Sequence, residues 1–383
     1  MTNEQTFFLT ALSDHLHGRK STVPEGLDFD SLYSLAKKQQ LCGILYAQTK
    51  ADVFERSFYT EILHAVNRQR LLADIHCAFT KNDIPYILIK GTEIARFYPQ
   101  PELRTMTDSD ILVHYEHKEK AHKLLLSLGF SFDNDWGYWK EGLHFELHDR
   151  LLYDEAVNLD SLKAWTGHVW EYARPEDGTR YAVSGEFHLV FLLLHLRKHF
   201  LNSGVGFRQF MDVAVMSQQS LDWGCVSSFI SELNLESFAE TCFGLCRVWF
   251  QVETPMAGAL PEDFVSKAAN QIFAGGVFGF SDEKNRGNQV KYQLESQNSF
   301  SIFFKKIFAP YSALCYSKKY SFLEGRPYLL PLAWVYRVFL AIKEKRVSST
   351  AQRVLLPLVV KRDDERAEWL RQWGLSPIEG EKN

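Results

Sequence analysis

The hydrophobic period of this chain changes at Pro85, and that change limits its fold more than any other feature. Upstream, apolar residues recur at helical spacing. Leu32, Leu35, Ala36, Leu41, Ile44 and Leu45 do so in 29–48, and Ile62, Leu63, Val66, Leu71, Leu72 and Ile75 in 58–79. Asn82 and Asp83 break the pattern. PYILIKG (85–91), a short apolar run closed by glycine, then suits a buried strand. TEIARFY (92–98) suits a short helix with Thr92 as its N-cap, and the breaker-rich PQPELRTMT (99–107) a loop. DSDILV (108–113) reads as a second strand, and EHKEKAHKLLLSLGF (116–130) as an amphipathic helix stopped by Gly129. Short strands near 130–134 and 137–141 come next, and GLHFELHDRL (142–151) is expected to end the β-rich section.

Beyond it the chain reads as helical again. Residues 184–200 open on Ser184 as a cap, with further helices over 208–219 and 236–252. The fold class is therefore α+β: a mixed β-sheet core over 81–155, a helical region 1–80 before it and a larger one, 156–383, after it. The polar run 281–299 is expected as a mobile insertion. The most hydrophobic stretch, 328–342, is short and contains Arg337, so no transmembrane segment is expected. The N-terminus lacks a signal-peptide pattern. Six scattered cysteines without a CxxC suit a reducing, cytoplasmic setting, with Cys242 and Cys246 read as buried thiols. Forty-three basic against 47 acidic residues disfavour a chain built mainly to neutralise a nucleic-acid backbone.

The chemistry concentrates in IKGTEIARFYPQPELRTMTDSDILV. Asp108 and Asp110 stand two apart on a strand, so both carboxylates project from one face. Such a pair calls for a cation, and Mg²⁺ (or Mn²⁺) takes carboxylates and substrate phosphates together. In HFELH, Glu146 shares one face with His144 and His148 and supplies the third carboxylate. Gly91-Thr92, where strand turns into helix, would present backbone N–H groups to phosphate. The chemistry expected is in-line attack on the α-phosphorus of a nucleoside triphosphate, with one metal activating the acceptor hydroxyl and another steadying pyrophosphate. Mutual repulsion should raise at least one of the three carboxyl pKa values, so Asp110→Asn is expected to leave the metal-free protein as stable as before.

Other charged residues admit two readings each. Lys90 and Arg104 flank the site, as phosphate ligands or as surface charge. His195 and His199 lie one turn apart on an apolar helix. They are either satisfied core histidines or groups lent to the substrate pocket, and Leu196 where a zincin has glutamate disfavours zinc. Arg208 and Asp212, also four apart, are either an intrahelical ion pair or part of the pocket, with Arg208 meeting a triphosphate.

A glycine–small-residue turn, a short helix and then D-x-D on the next strand resembles the nucleotidyltransferase (DNA polymerase β-like) superfamily. More narrowly, KGTEIARFYPQPELRTMTDSDILV resembles an uncharacterised bacterial nucleotidyltransferase family with KG, a tyrosine-proline loop, an arginine and D-x-D-x-L-V. FELHDRL is similar to that family's E-L-H strand, and LLLHLRKHF, GFRQFMDVA and YLLPLAWVYR extend the likeness over about residues 25–340. Two positions depart from the superfamily pattern: Thr92 replaces its usual serine and keeps the hydroxyl, and Ser109 stands where an apolar residue is commoner.

The resemblance implies metal-dependent transfer of a nucleoside monophosphate from NTP to an acceptor hydroxyl. Asp108, Asp110 and Glu146 would hold metal, with Glu146 also a candidate base. Lys90, Gly91, Thr92 and Arg104 would hold nucleotide, with His148, His195, His199, Arg208 and Asp212 around the pocket. The acceptor is left open among a sugar, a small metabolite, a protein side chain and an RNA end. The alternative is a non-catalytic nucleotide- or partner-binding protein on the same fold, serving polysaccharide or peptide modification, with the aromatic helix around Trp334 and Tyr336 as an interface.

Overall fold

The computed structural model describes residues 1–133, 136–151, 160–202, 204–277, 308, 311–314, 318–323, 325–343 and 364–375. The polar run 281–299 lies outside them. Helices α1 (Asn3–Leu16), α2 (Phe29–Gln39), α3 (Cys42–Thr49) and α4 (Glu55–Lys81) lead into the sheet. The apolar pattern of 29–48 is split between α2 and α3, because Gln40 takes a left-handed φ of 57°. Asn82 caps α4 and Asp83, at φ 52°, turns the chain into strand β1 (Tyr86–Ile89), buried along its whole length.

Helix α5 (Gly91–Ile94), strand β2 (Asp108–Val113), helix α6 (Lys118–Ser127) and strands β3 (Ser131–Phe132), β4 (Gly137–Lys140) and β5 (Leu143–His148) form as the periodicity predicts. The sheet does not end at residue 151, however. After α7 (Asp160–Gly167), a hairpin of β6 (Ala173–Asp177) and β7 (Arg180–Val183) joins the opposite edge, giving the order β3-β4-β5-β2-β1-β7-β6. Strand β6 is mostly exposed and β7 only partly buried, so neither carries the apolar alternation that marks a strand in sequence. A side chain ties the hairpin down, with Arg180 donating to Glu93 of α5 at 2.8 Å and ion-paired with Glu176 of β6 at 3.0 Å.

The sheet is mixed, and two pairings place the carboxylate-bearing strands side by side. Strands β1 and β2 run antiparallel, and β2 and β5 run parallel. One face is apolar. Leu88, Ile111, Phe145, Leu147 and Tyr138 pack there on Leu71, Ile75 and Phe79 of α4 and Ala121 and Leu125 of α6. Toward the other face, Ile87, Ile89 and Leu112 join the larger core. That core holds α1–α3 together with α8 (Gly185–Asn202), α9 (Phe207–Ser217), α10 (Trp223–Glu232), α11 (Glu236–Phe250) and α12 (Glu262–Gly275). Ser184 does cap α8, its hydroxyl accepting from Phe187 N–H at 3.3 Å. Cys242 and Cys246 of α11 are buried thiols, as expected. The stretch 328–342 forms most of the helix Leu330–Lys343, and among the described residues no helix is long and apolar enough to cross a membrane.

Helix α4 corrects one expectation. Leu63 and Val66 are 58% and 55% exposed, because the amino-terminal half of the helix turns Phe58 and Ile62, and not these two, toward the larger core. Its fully buried positions, Arg68, Leu71, Ile75 and Phe79, all lie in its second half. Ile75→Ala should therefore cost about 2–5 kcal/mol of unfolding free energy in a urea titration, whereas Leu63→Ala should change it by about 0.5 kcal/mol or less.

Candidate active site

The site is assembled where β1 turns into α5. Lys90 caps that short helix, in place of the expected Thr92, with φ 54° and ψ −136°. This conformation is strained for a residue with a side chain, by about 1–3 kcal/mol. Three contacts hold it. The Lys90 carbonyl accepts from Glu93 and Ile94 N–H. Its own N–H donates to His188 Nε2 of α8 at 3.1 Å. Its ammonium folds back across β2 and bonds to Asp110 Oδ1. The next residue must be glycine, since a Cβ at Gly91 would collide with the Arg104 guanidinium.

Arg104 therefore braces the turn from beneath. It is buried and bidentate on Asp212 of α9, with Nε to Oδ1 at 3.0 Å and Nη2 to Oδ2 at 2.5 Å, and it donates to Thr105 O at 2.7 Å. Tyr98 OH also donates to Asp212, at 2.8 Å. Both expectations for these residues change: Asp212 pairs with Arg104, not Arg208, and the Arg104 charge is committed to Asp212. Arg208 donates to Gln40 Oε1 at 2.9 Å and to Thr105 O at 3.0 Å, and its buried Nε has no partner. The charge of Asp108 is felt at this arginine. Thr92 sits inside the short helix, its hydroxyl 3.8 Å from Met106 Sδ.

The parallel β2–β5 register sets Asp108 opposite His144, Asp110 opposite Glu146 and Leu112 opposite His148. Alternation then directs Asp108, Asp110, His144, Glu146 and His148 to one face of the sheet. Donor atoms of Asp110, Glu146 and His148 all lie within 4.8 Å of one another. His148 Nε2 is 2.8 Å from Asp110 Oδ1 and 3.3 Å from Glu146 Oε2, so a residue expected around the pocket sits within the cluster itself. Asp108 lies on the same face, two residues earlier on β2, outside that group of three but coupled to Asp110 and Glu146 by charge. Asp110 is buried, while the Glu146 side chain is 35% exposed and opens the cluster to solvent.

These positions divide the carboxylates. Burial pushes Asp110 up, but the Lys90 ammonium and the His148 hydrogen bond outweigh it and hold the carboxyl well below the usual range. Glu146 is also lowered, chiefly by its hydrogen bond to His148. Asp108 alone of the three is raised, by burial and then by the charge of Asp110. The repulsion expected from sequence is real, but it is stored at Asp108. Asp110 is the compensated member, paired with the Lys90 ammonium and His148, so Asp110→Asn would leave both of those groups without this carboxylate.

Helix α8 lies on this same face. His188 and His195 are seven apart and His199 four further on, one stripe of the helix. His195 and His199 touch through Nε2 at 2.9 Å, and His195 feels the charges of Lys90 and Asp110. Sequence reading found this pair and overlooked His188, although the seven-residue step back from His195 marks it.

The mixed sheet, the strand–turn–helix and the carboxylate strand after it make up a nucleotidyltransferase-type α+β fold. The chain belongs to an uncharacterised nucleotidyltransferase family, whose model matches residues 25–251. No curated protein and no solved structure matches the chain.

Burial lowers the pKa of His188 to about 4, so the ring stays neutral and can accept from Lys90. Its unfolded value is about 6.5. Between those values the unfolded chain binds the extra proton, so this contribution is complete above about pH 6.5 and falls away as the pH drops toward 4. Urea titrations across that range should show stability falling with a slope of up to about 1.4 kcal/mol per pH unit from this one group. His188→Gln, which keeps an acceptor for Lys90 N–H without an ionisable ring, should make the slope shallower.

Proposed function

We propose that the chain is a metal-dependent nucleotidyltransferase, moving a nucleoside monophosphate from NTP to an acceptor hydroxyl with release of pyrophosphate. The observation that carries this reading is the parallel β2–β5 register, which brings Asp108, Asp110 and Glu146 to one face of the sheet beside the Lys90–Gly91 turn. The donors fit Mg²⁺ or Mn²⁺. They are carboxylate oxygens held on rigid strands, the ligand type that Mg²⁺ and Mn²⁺ take. Such a cation supplies charge neutralisation to the triphosphate and acidity to the acceptor hydroxyl.

The chain's own groups do the remainder. Asp110 and Glu146 would hold the cation with Asp108 beside them, and His148 bonds to both carboxylates. Lys90 is the mobile charge. Its ammonium neutralises Asp110 and would turn to phosphate oxygens with that carboxylate on a cation. The backbone at Gly91 and Thr92 faces the phosphates, and Arg208 adds buried positive charge on the Asp108 side. Arg104 acts through the turn that it supports. Glu146, the most exposed of the three carboxylates, takes the hydroxyl proton, and His195 and His199 border the pocket. The acceptor is a sugar, a small metabolite, a protein side chain or an RNA end.

One observation favours the interaction-protein reading. Tyr328, just before the helix Leu330–Lys343, and Leu332 and Val335 within it are 73%, 59% and 69% exposed, apolar side chains that a partner could cover. Mg²⁺-dependent NTP consumption separates the two readings.

The divided carboxylates supply the sharper test. Asp108→Asn removes a strained charge, so the metal-free melting temperature should hold or rise slightly. Asp110→Asn leaves the Lys90 ammonium without its partner and should cost on the order of 3 kcal/mol. Both variants should lose the rise in melting temperature that Mg²⁺ with NTP gives the wild type. A wild type whose melting is indifferent to Mg²⁺-NTP would make these carboxylates structural.

A further inference from the structure

Beside the carboxylates lies an aromatic surface that the catalytic reading leaves unused. In the β4–β5 pairing Trp139 stands opposite His144, and in the β2–β5 pairing Asp108 stands opposite the same His144. Asp108, His144 and Trp139 thus form one row across three strands and share the face that carries Glu146. Strands are spaced about 4.8 Å apart, so Trp139 lies about 10 Å from Asp108 and one strand from Glu146. That separation is of the size between the α-phosphorus and the base of an extended nucleotide.

The indole is 45% exposed, unusual for the largest apolar side chain, and it is held flat. Its ring stacks on the His144 imidazole with centroids 4.4 Å apart and planes 27° apart. His144 is fixed in turn, with Nε2 3.4 Å from Asp133 Oδ2 and Nδ1 3.9 Å from Glu146 Oε1. Gly137 makes room for this arrangement, since a Cβ there would collide with the Asp133 carboxylate and with His144 Nε2. A single exposed aromatic needs no explanation. An exposed tryptophan backed by an imidazole that is hydrogen-bonded to Asp133, on the same face as the carboxylate cluster, offers a planar ring to stack on.

We propose that Trp139, supported by His144, is the base-stacking platform of the nucleotide site. The inference rests on the reading of the neighbouring carboxylates as the triphosphate site. It implies that the indole recognises a planar ring through its π-face, adding affinity for nucleoside over bare polyphosphate and discriminating weakly among bases. The triphosphate is bound by charge and the base by stacking, so the two contributions separate in experiment.

The test is calorimetric titration of the full chain with ATP, GTP, CTP and UTP, and with inorganic tripolyphosphate, each with Mg²⁺. The wild type should bind nucleotides more tightly than tripolyphosphate. Trp139→Ala should weaken nucleotide binding about tenfold or more and leave tripolyphosphate binding unchanged. Trp139→Phe should restore most of the loss. Nucleotide affinity unaffected by Trp139→Ala, or tripolyphosphate weakened equally, overturns the platform, as does a wild type that gains nothing from the base. A wild type that binds neither ligand overturns the transferase reading, and the platform with it.

Discussion

Burying the Asp110 carboxylate is the constraint on which the rest of the site depends. A carboxylate taken from water needs a cation and hydrogen bonds close by. Lys90 supplies the first and His148 the second. To reach Asp110 from the end of the neighbouring strand, Lys90 adopts a backbone conformation that glycine would take more readily. That strain propagates outward. His188 must stay neutral to accept the Lys90 N–H, Gly91 must lack a side chain, Arg104 must lie beneath it, and Asp212 must hold Arg104. Helices α8 and α9 are thereby bonded to the turn between β1 and α5, and the carboxyl-terminal helices become part of the site's construction.

The two faces of the sheet divide the labour. Packing of α4 and α6 on the apolar face supplies cohesion, through side chains that are almost wholly buried. The opposite face keeps five ionisable side chains from two adjacent strands, an arrangement a stable core alone would not select. Its charges are arranged in a gradient. Asp110 is compensated and held low, Glu146 is lowered and half-open to water, and Asp108 is strained upward. Under the transferase reading, the raised Asp108 carboxyl is the one that a bound cation would relieve.

Much of the fold was legible because its elements obey one-dimensional rules. The strands at 86–89, 108–113 and 143–148 are short apolar or alternating runs, and helices α4, α6 and α8 carry a 3.6-residue stripe. The β6–β7 hairpin escaped because a polar edge strand has no such signature. Leu63 and Val66 misled for a related reason: periodicity identifies a helix face but not how far that face stays covered. Thr92 is a good cap residue, yet a fold that needed the Lys90 ammonium on Asp110 moved the cap two residues back.

The sequence by itself determined the carboxylate face, since D-x-D and H-x-E-x-H on strands project to one side by the geometry of the polypeptide. It also determined the glycine turn before it and the family to which the chain belongs. Which carboxylate is compensated and which is strained was decided by the tertiary structure alone. Lys90 is twenty residues from Asp110 and His188 ninety-eight from Lys90. Arg104 is more than a hundred residues from Asp212. The stack of Trp139 on His144 likewise depends on strand register, which no local pattern displays. Periodicity reports on neighbours within a turn or two, whereas electrostatic compensation acts over a few ångströms between groups that only the folded chain brings together.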